Sequence, residues 1–82
     1  EMTRDDWRAL LEAFLSDETD PATFKEEFIE AWDDLQENSK RIPGPIEELY
    51  ATVEAFDEDV RDEDAETELR DEARRALEEL KA

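Results

Sequence analysis

Residues 7–15 read Trp7-Arg8-Ala9-Leu10-Leu11-Glu12-Ala13-Phe14-Leu15. Trp7, Leu10, Leu11, Phe14 and Leu15 fall at i, i+3, i+4, i+7 and i+8. That spacing makes one apolar stripe on an α-helix and fits no strand. The spacing predicts a helix over residues 4–16. Thr3 is its N-cap, and Asp5 and Asp6 lie in the positive first turn.

The same period returns three more times. A second helix is predicted over 21–38, with Asp20 as cap and Pro21 at the first helical position, where a missing N–H costs nothing. Its stripe is Phe24, Phe28, Ala31, Trp32 and Leu35, with Ile29 on the flank and Trp32 as a buried anchor. Pro43-Gly44-Pro45 then interrupts the pattern, because no helix interior accommodates that run. Pro45 opens a third helix over 45–57, with Ile46, Leu49, Tyr50, Val53 and Phe56 facing in. Residues 57–64 form a second break, and Val60, its one apolar residue, is expected to anchor it to the core. The fourth helix is predicted over 65–81, capped by Asp64 or Thr67, with Leu69, Ala73, Ala76, Leu77 and Leu80 inward. Glu66–Arg70, Asp71–Arg75, Arg74–Glu78 and Arg75–Glu79 are spaced for ion pairs along its outer face.

Four amphipathic helices on short connections bury their stripes most economically together. The expected fold is all-α, an antiparallel up-and-down four-helix bundle. Met2 follows Glu1, and the bundle is read as one domain spanning residues 2–82. The longest apolar runs are two or three residues, as in Ala9-Leu10-Leu11, so neither a signal peptide nor a membrane span is expected. Cysteine is absent, which removes disulfides and a zinc ribbon and suits a reducing cytoplasm.

Charge narrows the function. Ten basic residues face 28 acidic ones, for a net −18. Such a chain repels nucleic acid and anionic membrane and attracts a basic partner. The charge is lopsided: residues 57–72 hold ten acids against Arg61 and Arg70. Acids at the start of the fourth helix suit its dipole, while acids at the end of the third oppose the dipole there. A solvated loop that keeps the protein soluble is the plain explanation; a local cost to stability is a reason to suspect function.

The composition excludes most catalysis. There is no histidine, so no neutral-pH imidazole base, and no cysteine nucleophile. Ser16 and Ser39 have no histidine partner, and no glycine-rich loop exists to cradle phosphate. Paired carboxylates need a cleft that a bundle this small hardly offers. No enzyme activity, no catalytic residue and no cofactor is expected. Asp57, Asp59, Glu63 and Glu68 fall at EF-hand ligand positions, but Arg61 and Asp62 stand where that loop requires an oxygen ligand and a glycine. No metal site is expected.

Trp7 through Leu15 and Ala22-Thr23-Phe24-Lys25-Glu26-Glu27-Phe28 resemble the opening of the colicin D immunity protein family. Glu54-Ala55-Phe56-Asp57-Glu58-Asp59 resembles that family's exit from its third helix. Leu69 through Leu80 is similar to its closing helix, and together these runs cover most of the chain. The resemblance implies a four-helix bundle that protects a bacterium from its own tRNA-cleaving toxin. It implies binding over the toxin's nuclease active site, with acidic groups where tRNA phosphates would lie. The family's contacting acids carry over to Glu54 and Asp59, with Asp57 and Glu58 alongside; the acidic stretch adds Asp62. Neutralising these five is expected to leave stability unchanged or raised. The partner is then a basic toxin nuclease domain, with no direct contact to nucleic acid or membrane, and the free chain is a monomer in the cytoplasm.

Two rival readings stand beside this one. An acidic nucleic-acid mimic would sequester a basic DNA-binding protein. A halophilic helical domain of other function would explain three lysines against eleven aspartates. Salt-dependent folding of the isolated chain favours the halophile, and a toxin reading frame directly upstream favours immunity.

Overall fold

The computed structural model describes residues 3–38, 41–57, 59, 60 and 62–81. Four helices follow one another: α1 over Arg4–Leu15, α2 over Pro21–Glu37, α3 over Gly44–Ala55 and α4 over Glu63–Lys81. No strand occurs among the described residues. The helices pack as a bundle in which α4 lies against α3 and α1, and α2 lies against the same two.

Local chemistry sets most helix starts. The Thr3 hydroxyl accepts from the Asp6 N–H, and the Asp6 carboxylate accepts from the Thr3 N–H, a reciprocal capping box on α1. Asp20 caps α2 by accepting from the Thr23 N–H at 2.7 Å, and that bond holds its carboxyl below the usual carboxylate range. Helix α3 begins one residue earlier than the proline pattern predicts, at Gly44. Gly44 is thus helical directly ahead of Pro45, where a Cβ would crowd the proline ring. At its other end α3 stops at Ala55 rather than 57, because Phe56 turns extended and dips into the core.

Helix α4 starts at Glu63, two residues before the predicted start. The cap is neither Asp64 nor Thr67. Asp62 Oδ1 accepts from the N–H groups of Asp64 and Ala65 at 3.0 and 3.3 Å. On the outer face of α4, Arg74 pairs with Asp71 and Arg75 with Glu72, both at i,i+3 rather than the expected i,i+4 spacing. Only Glu66–Arg70 forms as the sequence suggested, at 3.4 Å.

The core holds the predicted stripes. Trp7, Leu11 and Phe14 of α1 meet Phe24, Phe28, Trp32 and Leu35 of α2. Ile46, Leu49 and Val53 of α3 meet Leu69, Ala73, Ala76, Leu77 and Leu80 of α4. Leu10, Leu15, Ile29, Ala31 and Tyr50 pack partly buried against this core, and so does Ile42 from the connection before α3. The phase of α2 is as expected, with Trp32 buried and stacked on Tyr50 at 4.0 Å. Val60 departs from expectation: it is 55% exposed. The Val60 N–H bonds the Asp57 carbonyl in a tight turn, while Phe56 already fills the core position that this loop reaches.

Side chains that reach between helices bind their ends together. Arg4, at the start of α1, donates to the Leu80 carbonyl at 3.1 Å, at the end of α4. Arg70 of α4 donates to the Phe14 carbonyl at 3.3 Å and to Asp17 at 2.7 Å, with its guanidinium 4.9 Å from the Phe14 ring centre. Asp17 has φ 66°, the left-handed turn that closes α1. No basic residue stands in the last turn of α1, so Arg70 is the cation that meets its negative end. Arg70→Ala is expected to cost about 1–3 kcal/mol, through the lost charge-assisted hydrogen bonds and ring contact. Arg70→Lys should recover little, because an ammonium cannot hold the fork geometry. Urea unfolding followed by circular dichroism measures both; a loss matching a neutral surface substitution would contradict this role.

Candidate functional site

The site begins where α3 ends. Glu54, Asp57 and Asp59 are exposed, as is Asp62 at the entrance to α4; Glu58 lies outside the described residues. Asp57 organises the loop: its carboxylate accepts from the Asp59 N–H at 2.9 Å, while its carbonyl accepts from the Val60 N–H at 3.2 Å. Asp57 and Asp59 are thereby held two residues apart on one turn. Asp62 closes the loop as the cap of α4, whose first turn adds Glu63, Asp64 and Glu66.

Acids at the end of α3 should destabilise that helix end, and the structure shows what offsets them. Lys25 of α2 donates its ammonium to the carbonyls of Glu54 and Phe56. A cation from a neighbouring helix thus meets the negative end of α3, and the acidic side chains remain free to face outward. Nothing in the sequence spacing linked Lys25 to Phe56, since 31 positions separate them. Tyr50, one turn before Glu54, has its hydroxyl pKa raised, chiefly by the Glu54 carboxylate, then by burial and by the charge of Asp33.

Beside the loop lies an open groove of about 940 Å³. Pro21, Ala22, Phe56 and Val60 supply its apolar lining, and Asp20, Asp62, Glu63, Asp64 and Glu66 its polar lining. The sequence marked Asp20 and Pro21 as the start of a helix but not as neighbours of the acidic run, from which they stand roughly 40 residues away. A different gap, about 430 Å³, is lined by Arg4, Trp7, Arg41 and Pro43–Pro45. Arg4 sits at the far end of α4, which spans roughly 28 Å at about 1.5 Å per residue. That far end carries Arg4 and Arg41 beside Asp5, Asp6 and Glu47, so carboxylates stand at both ends of the bundle.

Two of the site acids also hold the loop through hydrogen bonds, so an alanine there removes a turn or a cap as well as a charge. Asp62→Ala is expected to cost about 1 kcal/mol by uncapping α4, whereas Asp62→Asn, which keeps an acceptor of equal capping strength, should not. Thermal melts of the two variants separate cap from charge; equal melting points would show that Asp62 Oδ1 contributes nothing as a cap. Asp57→Asn likewise preserves the turn acceptor while removing its charge.

Among the described residues no three acidic, histidine or cysteine side chains are grouped to hold a metal ion. None of the described helices is long and apolar enough to cross a membrane. Searches among curated proteins and among solved structures returned no match. The profile of the bacterial self-protective colicin-like immunity family matches residues 2–80. That match takes in α1, α2, α3, the acidic loop and all but the last residue of α4. The chain belongs to the family of bacterial self-protective colicin-like immunity proteins.

Proposed function

We propose that this chain is an immunity protein of the colicin D type, which inhibits a tRNA-cleaving toxin by laying its acidic loop over the toxin's basic nuclease site. The observation that carries the reading is the exposed turn bearing Asp57 and Asp59 between Glu54 and the Asp62 cap, on a chain of this family. A ribonuclease cleft is lined by cations that hold phosphates, and ordered carboxylates complement such a cleft and speed association. The protein then acts by binding and not by catalysis, as a monomer in the cytoplasm. The up-and-down antiparallel course of one domain is part of this proposal. It is supported by Arg4 meeting the end of α4 and by Lys25, at the start of α2, meeting the end of α3.

The test is a titration of the chain against the nuclease domain of its cognate toxin, with protection of tRNA from cleavage as readout. Protection at equimolar chain supports the proposal. A nuclease that keeps cutting tRNA, with no complex detected, would sink it. Binding to a basic DNA-binding protein instead would favour a nucleic-acid mimic, and folding only at high salt would favour a halophilic domain.

A further inference from the structure

An exposed valine is ordinary by itself. Val60, however, is the large apolar side chain that the described residues leave most open to solvent, and it joins Phe56, Pro21 and Ala22 in lining the groove. Among the described residues, every ionisable group lining that groove is a carboxylate. We infer that the groove receives one apolar side chain of the toxin, carried between arginine or lysine residues that meet the carboxylates of Asp20, Asp62 and Glu66. This inference rests on the immunity reading and adds a second kind of contact to it.

The charge pattern selects this occupant. An uncharged apolar segment would have to strip water from the carboxylates with nothing to pair them. A second copy of this chain would bring −18 against −18. A segment with an apolar side chain flanked by cations satisfies both linings at once. The two contacts divide the work. Charges at the edge of an interface govern mainly the rate of encounter, while a desolvated apolar anchor governs how long the complex lasts. The groove draws on three elements, the start of α2, the end of α3 and the entrance to α4, so its width is held by the bundle.

The experiment measures association and dissociation of the cognate toxin's nuclease domain with wild type, Val60→Ala and Asp62→Asn, at low and high salt. Val60 lies outside the core, so its variant should keep the wild-type circular dichroism and melt. Val60→Ala is expected to weaken binding roughly tenfold, from the two methyl groups lost, through faster dissociation and by the same factor at both salt concentrations. Asp62→Asn should act mainly on association, and its effect should shrink as salt is added. A wild type that binds while Val60→Ala binds equally well overturns this inference and leaves the immunity reading standing. A Val60→Ala effect confined to self-association of the free chain overturns it too. A wild type that ignores the nuclease overturns both readings together.

Discussion

Phe28→Ala is expected to leave this chain close to unfolded at room temperature. Phe28 has no exposed surface, and its ring lies 5.1 Å from Trp7, 5.8 Å from Phe24, 6.4 Å from Trp32 and 6.5 Å from Tyr50. Those partners belong to α1, α2 and α3, so a truncated side chain opens a void that no single helix can close. Removing a buried phenylalanine costs about 3–5 kcal/mol. A chain of this length has only about 4–12 kcal/mol in all, and self-repulsion of the acidic surface draws on that margin. Trp32→Ala belongs to the same class but should fall near 3 kcal/mol, because Trp32 is 9% exposed at the edge of the cluster. Urea unfolding at moderate salt, followed by helix signal, measures both. A loss below about 1 kcal/mol for Phe28 would place it outside the core.

Asp59→Ala is expected to cost about 2–5 kcal/mol of affinity for the toxin nuclease domain, and Asp59→Asn nearly as much. Among the described residues the Asp59 carboxylate accepts no hydrogen bond, and only its backbone N–H takes part in the turn. Substitution there removes charge and leaves the loop intact. Asp57 and Asp62 require the asparagine variants for an equally clean reading, since alanine would also break the turn or the cap. Asp33 and Asp34, exposed on α2, serve as controls. Neutralising them should slow association slightly by weakening the long-range field, with little change in dissociation. Titration of each variant with tRNA protection as readout decides the matter. If Asp59 variants protect as well as wild type while Asp33 and Asp34 variants fail, the binding face lies on α2 and not at the α3–α4 loop.

The division between sequence and tertiary structure follows from the range of the forces involved. Helix identity, phase and core membership were legible in the spacing of Trp7, Phe14, Phe28, Trp32, Val53 and Leu77, because burying apolar stripes dominates folding and every helix carries its own stripe. The caps Thr3 and Asp20 were legible too, since a cap bonds residues only three positions away. The start of α4 was not. Asp62, Asp64 and Thr67 are all competent caps, and local propensity cannot choose among them. The choice belongs to the packing of α4 on α1 and α3. Val60 was misjudged for a related reason. Its hydrophobicity argues for burial, but whether a loop side chain reaches the core depends on the space left by Phe56 and on the turn that Asp57 closes. The acidic run was visible in the sequence as charge alone. Only the tertiary structure supplied Lys25 at the end of α3, Arg70 at the end of α1, and Asp20 with Pro21 beside Val60. Those contacts join residues tens of positions apart, and no local spacing encodes them.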